Sequence, residues 1–254
     1  MTAPMLAGAE PMSVVGGADG ALVVHGFTGS PASMRGVAEH LAVAGLSVEL
    51  PLLPGHGTCV EDLLPTRWSD WAAAVDAAYL DLAARCDRVV VVGLSMGGTL
   101  ACWLAERHPE VGGLVLVNPL VEPPPGELID AVGEMLGSGE TLAPGIGSDI
   151  AMPGAGEVAY DATPLEAGLS LFDAAGEVGR GLGDIRCPVL LLSSREDHVV
   201  PPSNGDRVVA SVAGPVERVW LERSYHVAPL DYDRDEVEVR TVAFVANVFA
   251  GVVG

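Results

Sequence analysis

Short runs of β-branched and aliphatic residues alternate along most of this chain with longer segments of helical periodicity, and this alternation most constrains the fold. The apolar runs lie at residues 21–25, 46–51, 88–93, 113–119, 187–194 and 216–222. Helical patterns lie at residues 33–44, 68–84, 99–106, 204–212 and 234–249. Buried strands separated by helices form parallel sheets that are covered on both faces. The sequence therefore predicts an α/β fold with a mostly parallel central sheet.

The alternation is interrupted once, between about residues 120 and 183. The string "EPPPGE" and several glycine clusters exclude regular strands there, whereas "ELIDAVGEML" and "LEAGLSLF" have helical spacing. A gap of this size inside a compact domain is usually functional or disordered. We expect one domain over residues 1–254, with a small cap inserted at about 120–183 over the carboxyl edge of the sheet, where ligands bind.

The stretch "VVVVGLSMGGTLACWLAE" changes from a buried strand to a helix within a few residues, and Ser95 lies at the corner. In so sharp a turn the strand, the helix and the neighbouring backbone approach closely, so Gly93 and Gly97 can carry almost no side chain. The string Gly-x-Ser-x-Gly alone is weak evidence. The strand before it and the helix after it are the context of a nucleophile elbow, which presents the serine hydroxyl to a substrate.

A serine hydroxyl is a poor nucleophile at neutral pH, so a base must accept its proton and a carboxylate should orient that base. His226 lies in the loop "RSYHVAPLDYD" after the strand at 216–222, and Asp197 follows the strand at 187–194. Both loops lie at the same sheet edge as Ser95. The chain order Ser95, Asp197, His226 is one of the known orders of a Ser-His-Asp triad.

Other residues compete for these roles. Glu196 is an alternative acid, although the shorter side chain of Asp197, just before the proline-fixed turn "DHVVPP", is favoured. His198 is adjacent to the acid and is expected to flank the site. His56, in "PGHG", is interpreted as a turn residue in preference to a catalytic one.

Attack on a carbonyl group develops negative charge on its oxygen, which preorganised N–H donors stabilise. The string "HGFTGSP" follows the first strand, and its glycines let the backbone turn toward Ser95. The expected donors are the backbone N–H of Phe27 and that of Met96, the residue after the nucleophile. A mere connecting turn is the alternative interpretation.

Charge and cysteine spacing limit the partners. With 13 basic and 34 acidic residues, the formal charge of −21 argues against nucleic acid or an anionic membrane as a partner. No apolar run reaches transmembrane length, and "MTAPMLAGAEPMS" lacks a basic segment and a long apolar stretch, so we expect a cytoplasmic protein without stable membrane insertion. The four cysteines have no paired spacing that would suggest a metal site or a disulfide framework. Serine chemistry needs neither a metal nor an organic cofactor.

Six blocks together, "HGFTGSP", "LPGHGT", "GLSMGGTLA", "IGSD", "EDHVVPP" and "SYHVAPLDYD", resemble bacterial monoacylglycerol lipases and related small carboxylesterases of the α/β-hydrolase superfamily. They span nearly the whole chain. The resemblance implies an α/β-hydrolase fold, serine-dependent hydrolysis of a single fatty acyl ester, and a small cap over an apolar acyl tunnel. It also implies that Glu157, in "GEVAYDATP", lies near the glycerol pocket and that Ile146, in "IGSD", contacts substrate.

The inserted segment supplies apolar residues for the wall of such a tunnel, namely Ile129, Met135, Leu136, Ile146, Leu169 and Leu171. Two alternatives to a monoacylglycerol lipase remain open. One is another ester or thioester hydrolase, or an acyltransferase, of the same fold. The other is a ligand-binding protein that kept the fold and lost turnover, against which the intact triad and oxyanion turns weigh. The oligomeric state and the physiological lipid stay open.

Overall fold

The structure is a computed structural model that describes residues 3–145 and 147–252. Its strands are Met12–Val14 (β1), Asp19–Val24 (β2), Ser47–Leu50 (β3), Arg88–Leu94 (β4), Gly113–Val117 (β5), Leu142–Pro144 (β6), Ala162–Pro164 (β7), Val189–Ser194 (β8) and Val216–Leu221 (β9). Its α-helices are Arg35–Val43 (α1), Val60–Leu63 (α2), Trp68–Ala83 (α3), Met96–Arg107 (α4), Gly126–Gly137 (α5), Leu165–Gly181 (α6), Ser203–Ser211 (α7) and Arg234–Phe249 (α8).

Seven strands form the central sheet in the order β1-β3-β2-β4-β5-β8-β9. Strands β2, β3, β4, β5, β8 and β9 pair in parallel, and β1 pairs antiparallel with β3 at one edge. The prediction of a mostly parallel sheet with helices on both faces is therefore confirmed. Each predicted strand and helix of this sheet lies within a few residues of its expected position.

The two faces of the sheet are buried by different helices. Side chains of α3, α4 and α6 pack with Leu22 and Val91 on one face. Side chains of α1 and α8 pack with Val23, Val90 and Val92 on the other. Successive side chains of a strand point to opposite faces, so a strand buried on both faces is apolar at every position. This is why β4 contains four consecutive valines, at positions 89–92.

Two features of the structure differ from the expectation. The edge strand β1 was not predicted, because three residues are too short a stretch to give a periodic signal. The exclusion of strands between 120 and 183 was wrong, since β6 and β7 pair there as a short antiparallel ribbon. The string "EPPPGE" covers residues 122–127 and lies outside both strands, whereas Pro144 and Pro164 end β6 and β7 at edge positions where proline is tolerated.

Parallel strands place their following loops at one edge of the sheet, and this edge carries the candidate site. Turns or loops after β2, β4, β5, β8 and β9 all line one cavity there, and the inserted segment from β5 to β8 contributes residues of α5, β7 and α6 to it. No helix in the described ranges is long and apolar enough to cross a membrane.

Candidate active site

Ser95 lies at the turn between β4 and α4, and its backbone adopts φ 55° and ψ −117°. A residue with a side chain rarely adopts a positive φ, so this conformation stores strain that the surroundings must hold. The N–H of Ser95 donates to the carbonyl of Val117 on β5 at 3.0 Å, and its carbonyl accepts from the N–H of Gly98 at 2.8 Å. These bonds tie the turn to its neighbours, and Ser95 lines a cavity at the sheet edge.

The two glycines around Ser95 lie where no side chain fits. A Cβ at Gly93 would lie 2.1 Å from the carbonyl oxygen of Gly97, and one at Gly97 would lie 2.3 Å from that of Val24. Both neighbours are backbone atoms, which cannot rotate away as a flexible side chain would. The close approach of β2, β4 and α4 inferred from the sequence is therefore confirmed.

His226 and Asp197 form a buried pair in the loops after β9 and β8. The Nδ1 atom of His226 lies 2.8 Å from Oδ2 of Asp197, and the two side chains are 8% and 2% exposed. The other carboxylate oxygen, Oδ1, accepts the N–H groups of Val199 at 2.9 Å and Val200 at 2.8 Å. With Nδ1–H donating to the carboxylate, the lone pair of Nε2 is available to accept a proton.

Ser95 and His226 line the same cavity. Among the described residues, no hydrogen bond joins the Ser95 hydroxyl to the ring of His226. Such bonds are often long in enzymes without substrate and tighten when substrate binds. The arrangement can therefore supply a nucleophile and a base to one substrate.

Phe27 and Met96 carry the two expected oxyanion donors. Met96 is the first residue of α4, where backbone N–H groups have no partner within the helix. In the described part of the chain, neither the N–H of Phe27 nor that of Met96 donates to another protein group. The turn carrying Phe27 passes close to the nucleophile, because a Cβ at Gly26 would lie 3.5 Å from Cβ of Ser95.

A buried histidine supports this turn. The Nδ1 of His25 lies 2.9 Å from the carbonyl oxygen of Gly26, and its Nε2 accepts the N–H of Leu53 at 3.2 Å. Burial lowers the pKa of His25 to about 4, so the ring is neutral at physiological pH. The string "HG" predicts only part of a glycine-rich turn, and no local pattern in the sequence indicates this contact.

Glu157 lies in the wall of the cavity near the turn that follows Phe27. Its Oε1 accepts the hydroxyl of Ser33 at 2.7 Å, and its backbone N–H donates to the hydroxyl of Ser148 at 2.9 Å. Burial raises the pKa of its carboxyl group, an effect that the Ser33 hydrogen bond and the nearby His226 oppose. The second cap residue expected near substrate, Ile146, lies outside the described residues.

The cavity has a volume of about 530 Å³ and is lined by polar residues, Ser95 and His226 among them, and by a larger set of apolar ones. Its apolar wall consists of Phe27, Leu120, Pro123, Pro124, Pro125, Leu128, Leu171, Phe172, Val199, Val200, Pro201 and Val227. Of the described apolar residues expected to wall a tunnel, Leu171 lines the cavity, whereas Ile129, Met135, Leu136 and Leu169 do not. The expectation was wrong for these four because helical spacing gives no direction, and α5 turns Leu128 toward the cavity.

Three polar residues that the sequence analysis did not assign hold the loop of His226. The amide of Asn118, directly after β5, donates to the carbonyl of His226 at 2.8 Å. Asp149, in the cap, accepts the N–H of His226 at 3.0 Å. Asp231 is fully buried and accepts the N–H of Tyr225 at 2.9 Å. A polar residue at the carboxyl end of a buried strand is the signal that could have identified Asn118.

The competing residues lie in other environments. Glu196 is exposed. His198 lines the cavity with an exposed side chain and pairs with Asp149, not with Asp197. His56 is buried, and its Nδ1 lies 3.0 Å from the carbonyl oxygen of Pro54, as a turn residue would. Within residues 3–145 and 147–252, no group of three or more His, Cys, Asp or Glu side chains could hold a metal ion.

A parallel sheet of this order, with a serine in the strained turn after one strand and an aspartate and a histidine in the loops after two others, defines the class of α/β hydrolases. The chain belongs to the alpha/beta hydrolase family, whose model matches residues 21–240.

Two curated proteins resemble the chain over nearly its whole length. It is 44% identical over 247 residues to a thermostable monoacylglycerol lipase of Bacillus sp. (strain H-257), covering 96% of this chain and 97% of the relative. It is 25% identical over 241 residues to a carboxylesterase of Bacillus subtilis (strain 168), covering 94% of this chain and 97% of the relative.

A solved structure described with two metagenome-derived lipolytic enzymes, LipS and LipT, aligns with a TM-score of 0.92 and 41% sequence identity. The alignment covers 96% of this chain and all of the other chain (100%). Sequence and structure comparisons therefore both match the chain to carboxylic ester hydrolases over nearly all of its length.

Proposed function

We propose that this protein is a serine esterase that hydrolyses monoacylglycerols to a free fatty acid and glycerol. The observation that carries the proposal is the buried His226–Asp197 pair at 2.8 Å, lining the same cavity as the strained Ser95. The 44% identity to a monoacylglycerol lipase over 96% of the chain supports the substrate class.

In the first half of the reaction, the hydroxyl oxygen of Ser95 attacks the ester carbonyl while Nε2 of His226 accepts its proton. The backbone N–H groups of Phe27 and Met96 stabilise the resulting oxyanion, and such a donor lowers the barrier by about 3 to 4 kcal/mol. The tetrahedral intermediate then collapses. The bond to the glycerol oxygen breaks, and His226 returns the proton to that oxygen.

In the second half, water attacks the acyl group on Ser95 while His226 accepts one of the water protons. Collapse of the second tetrahedral intermediate breaks the bond to Ser95, whose oxygen takes the proton back. The carboxylate of Asp197 stabilises the imidazolium in both halves and keeps Nδ1 protonated. Ester and water are converted to acid and alcohol without a metal ion or an organic cofactor.

The apolar part of the cavity is suited to the acyl chain. Each methylene group moved from water into such a wall contributes about 0.8 kcal/mol, so affinity rises with chain length until the cavity is full. Within the inserted segment, Leu171 and Phe172 on α6 and Leu128 on α5 contribute to this wall together with Leu120 and the prolines at 123–125.

Glu157 is suited to the glycerol end. Its carboxylate lies in the cavity wall with one oxygen bonded to Ser33, and the remaining acceptor capacity suits a free hydroxyl group. A second acyl chain in place of that hydroxyl leaves the free oxygen of the Glu157 carboxylate without a donor, while Ser33 still bonds the other oxygen, and an unpaired oxygen in the cavity wall is costly. We infer that this difference favours monoacylglycerols over di- and triacylglycerols, with Ile146 as a second contact to substrate.

We further propose a single folded unit, with the cap inserted at about residues 120–183, that acts in the cytoplasm on lipid esters and does not insert stably into membranes. All four cysteines, at positions 59, 86, 102 and 187, are free thiols, which persist in reducing compartments. The formal charge of −21 disfavours anionic membranes and nucleic acids as partners.

The test uses the purified protein with a chromogenic short-chain ester and a fluorophosphonate. We expect hydrolysis of the ester and a single covalent adduct on the peptide that contains Ser95, with Ser95→Ala losing both. Labelling of Ser95→Ala at the wild-type rate would refute Ser95 as the nucleophile. Absence of any hydrolysis with a folded wild-type protein would favour a binding protein of the same fold.

A further inference from the structure

The backbone of the proposed base is held on both sides by side chains from other parts of the fold. Asn118 donates to the carbonyl of His226 at 2.8 Å, and Asp149 accepts its N–H at 3.0 Å. Asp197 bonds only the ring of His226, so its hydrogen bond does not by itself determine where the backbone of the loop lies.

Asp149 lies in the cap, between β6 and β7, and bonds both loops that carry the acid and the base. Its Oδ2 accepts the N–H of His226 at 3.0 Å and that of His198, next to Asp197, at 3.1 Å. Its backbone carbonyl also accepts the N–H of Val227 at 3.1 Å. One residue of the cap therefore joins the segment after β8 to the segment after β9.

The carboxylate of Asp149 is itself fixed in place. Its side chain is 13% exposed, and Oδ1 lies 2.9 Å from Nδ1 of His198. The ring of His198 packs edge-on against Tyr225, with ring centroids 4.5 Å apart. Buried Asp231 accepts the N–H groups of Ala151 and Met152, just after Asp149, at 2.7 and 3.0 Å. These contacts leave the acceptor oxygen little freedom to move.

We propose that Asp149 is a positioning residue for catalysis. It holds the imidazole of His226 at the distance from Ser95 that proton transfer requires. The inference rests on the proposed function, because it takes His226 as the base. His226 moves a proton in both acylation and deacylation, so a displaced ring slows whichever step limits kcat. A displacement of about 1 Å at a reacting group can cost about 100-fold in rate.

Asp149 lines the cavity beside His198 but is not part of its apolar wall, on which binding of the ester mainly depends. A loss of positioning therefore lowers kcat and leaves KM nearly unchanged. A loss of the fold or of the cavity changes both parameters together with thermal stability. Comparing the change in kcat with the changes in KM and Tm therefore distinguishes a positioning role from a structural one.

The experiment compares four variants of the full chain on a chromogenic ester. Asp149→Ala removes all three acceptor contacts of the side chain. Asp149→Asn keeps one carbonyl oxygen for the two N–H groups, and His198→Ala removes only the ring contact. Asp173→Ala is the matched control, since Asp173 is exposed on α6 outside the cavity.

We expect Asp149→Ala to lower kcat by about 30- to 100-fold with KM within about 3-fold of wild type. Asp149→Asn should recover most of the lost kcat, His198→Ala should lose less than about 10-fold, and Asp173→Ala should match wild type. If the alanine variant does not fold, Asp149→Ser replaces it, because its short hydroxyl cannot span both N–H groups.

A wild-type kcat in a folded Asp149→Ala or Asp149→Ser variant would overturn the inference. The inference would also be overturned if Asp149→Asn and Asp149→Ala lost kcat equally and both had a lowered Tm, because that result indicates a structural role. Failure of the proposed function gives a different result, in which Ser95→Ala or His226→Ala retains activity. If the wild type is active and His226→Ala is inactive, the proposed function holds, and the Asp149 variants then test only the role of Asp149.

Discussion

Gly97→Ala tests the close approach of α4 to β2, directly after Ser95. The added Cβ would lie 2.3 Å from the carbonyl oxygen of Val24 and 2.8 Å from that of His25. Ordinary contact begins near 3.4 Å, so β2 and α4 must separate by about 1 Å. His25 leads directly to Phe27, and the separation therefore moves one oxyanion donor away from the nucleophile.

Two losses follow from that movement. A displacement of about 1 Å in a positioned group costs about 100-fold in rate, which we expect in kcat. Overpacking of a dense core costs about 1 to 3 kcal/mol. In a chain of this size that cost lowers Tm by roughly 3 to 10 °C. The triad side chains themselves are unchanged in this variant.

The assay combines the hydrolysis rate of a short-chain chromogenic ester with thermal unfolding. Gly133→Ala in α5 is the matched control, because a Cβ there meets nothing within 4 Å. Alanine in a helix interior is more favourable than glycine by about 0.5 to 1 kcal/mol, so this control should keep its activity and unfold at the same or a higher temperature. A Gly97→Ala variant with wild-type kcat and Tm would refute the reasoning.

Three further outcomes are expected. His226→Ala should lose at least ~1000-fold in rate on a chromogenic ester, and an equally inactive His198→Ala variant would mean that the wrong base was assigned. Burial raises the pKa of Glu106 from 4.5 to about 7, so the stability that its protonated form contributes is lost as pH rises from about 4.5 through 7. Glu106→Gln should therefore raise Tm at pH 8 more than at pH 5, and an equal change of Tm at the two pH values would contradict the raised pKa of Glu106. Glu157→Ala should narrow the difference between the hydrolysis rates of mono- and diacylglycerol, and an unchanged ratio would exclude its role in selectivity.

The parallel sheet and its helices could be predicted because strands that are buried on both faces are apolar at nearly every position, and this pattern is visible in the sequence. The valines of β4 and the helical spacing after them identify the turn at Ser95, and Gly93 and Gly97 identify its tight contacts. Loops after parallel strands lie at one edge, so the meeting of Asp197 and His226 also follows from their order in the chain.

The cap and the supports of the histidine loop could not be predicted in the same way. A short antiparallel ribbon such as β6 and β7 buries little, and its residues carry no periodic signal. The bond from Asp149 to the N–H of His226 joins residues 77 positions apart through a side chain and a backbone group. No local pattern records such a contact, so only the folded chain identifies it.

The most direct test of the proposed function is a side-by-side measurement of initial hydrolysis rates on mono-, di- and trioleoylglycerol with the wild-type protein. We expect rapid release of oleate from monooleoylglycerol and far slower release from the other two, because a second acyl chain removes the substrate hydroxyl that the free oxygen of Glu157 would accept. Comparable rates on all three substrates would contradict the monoacylglycerol assignment and leave a general carboxylesterase.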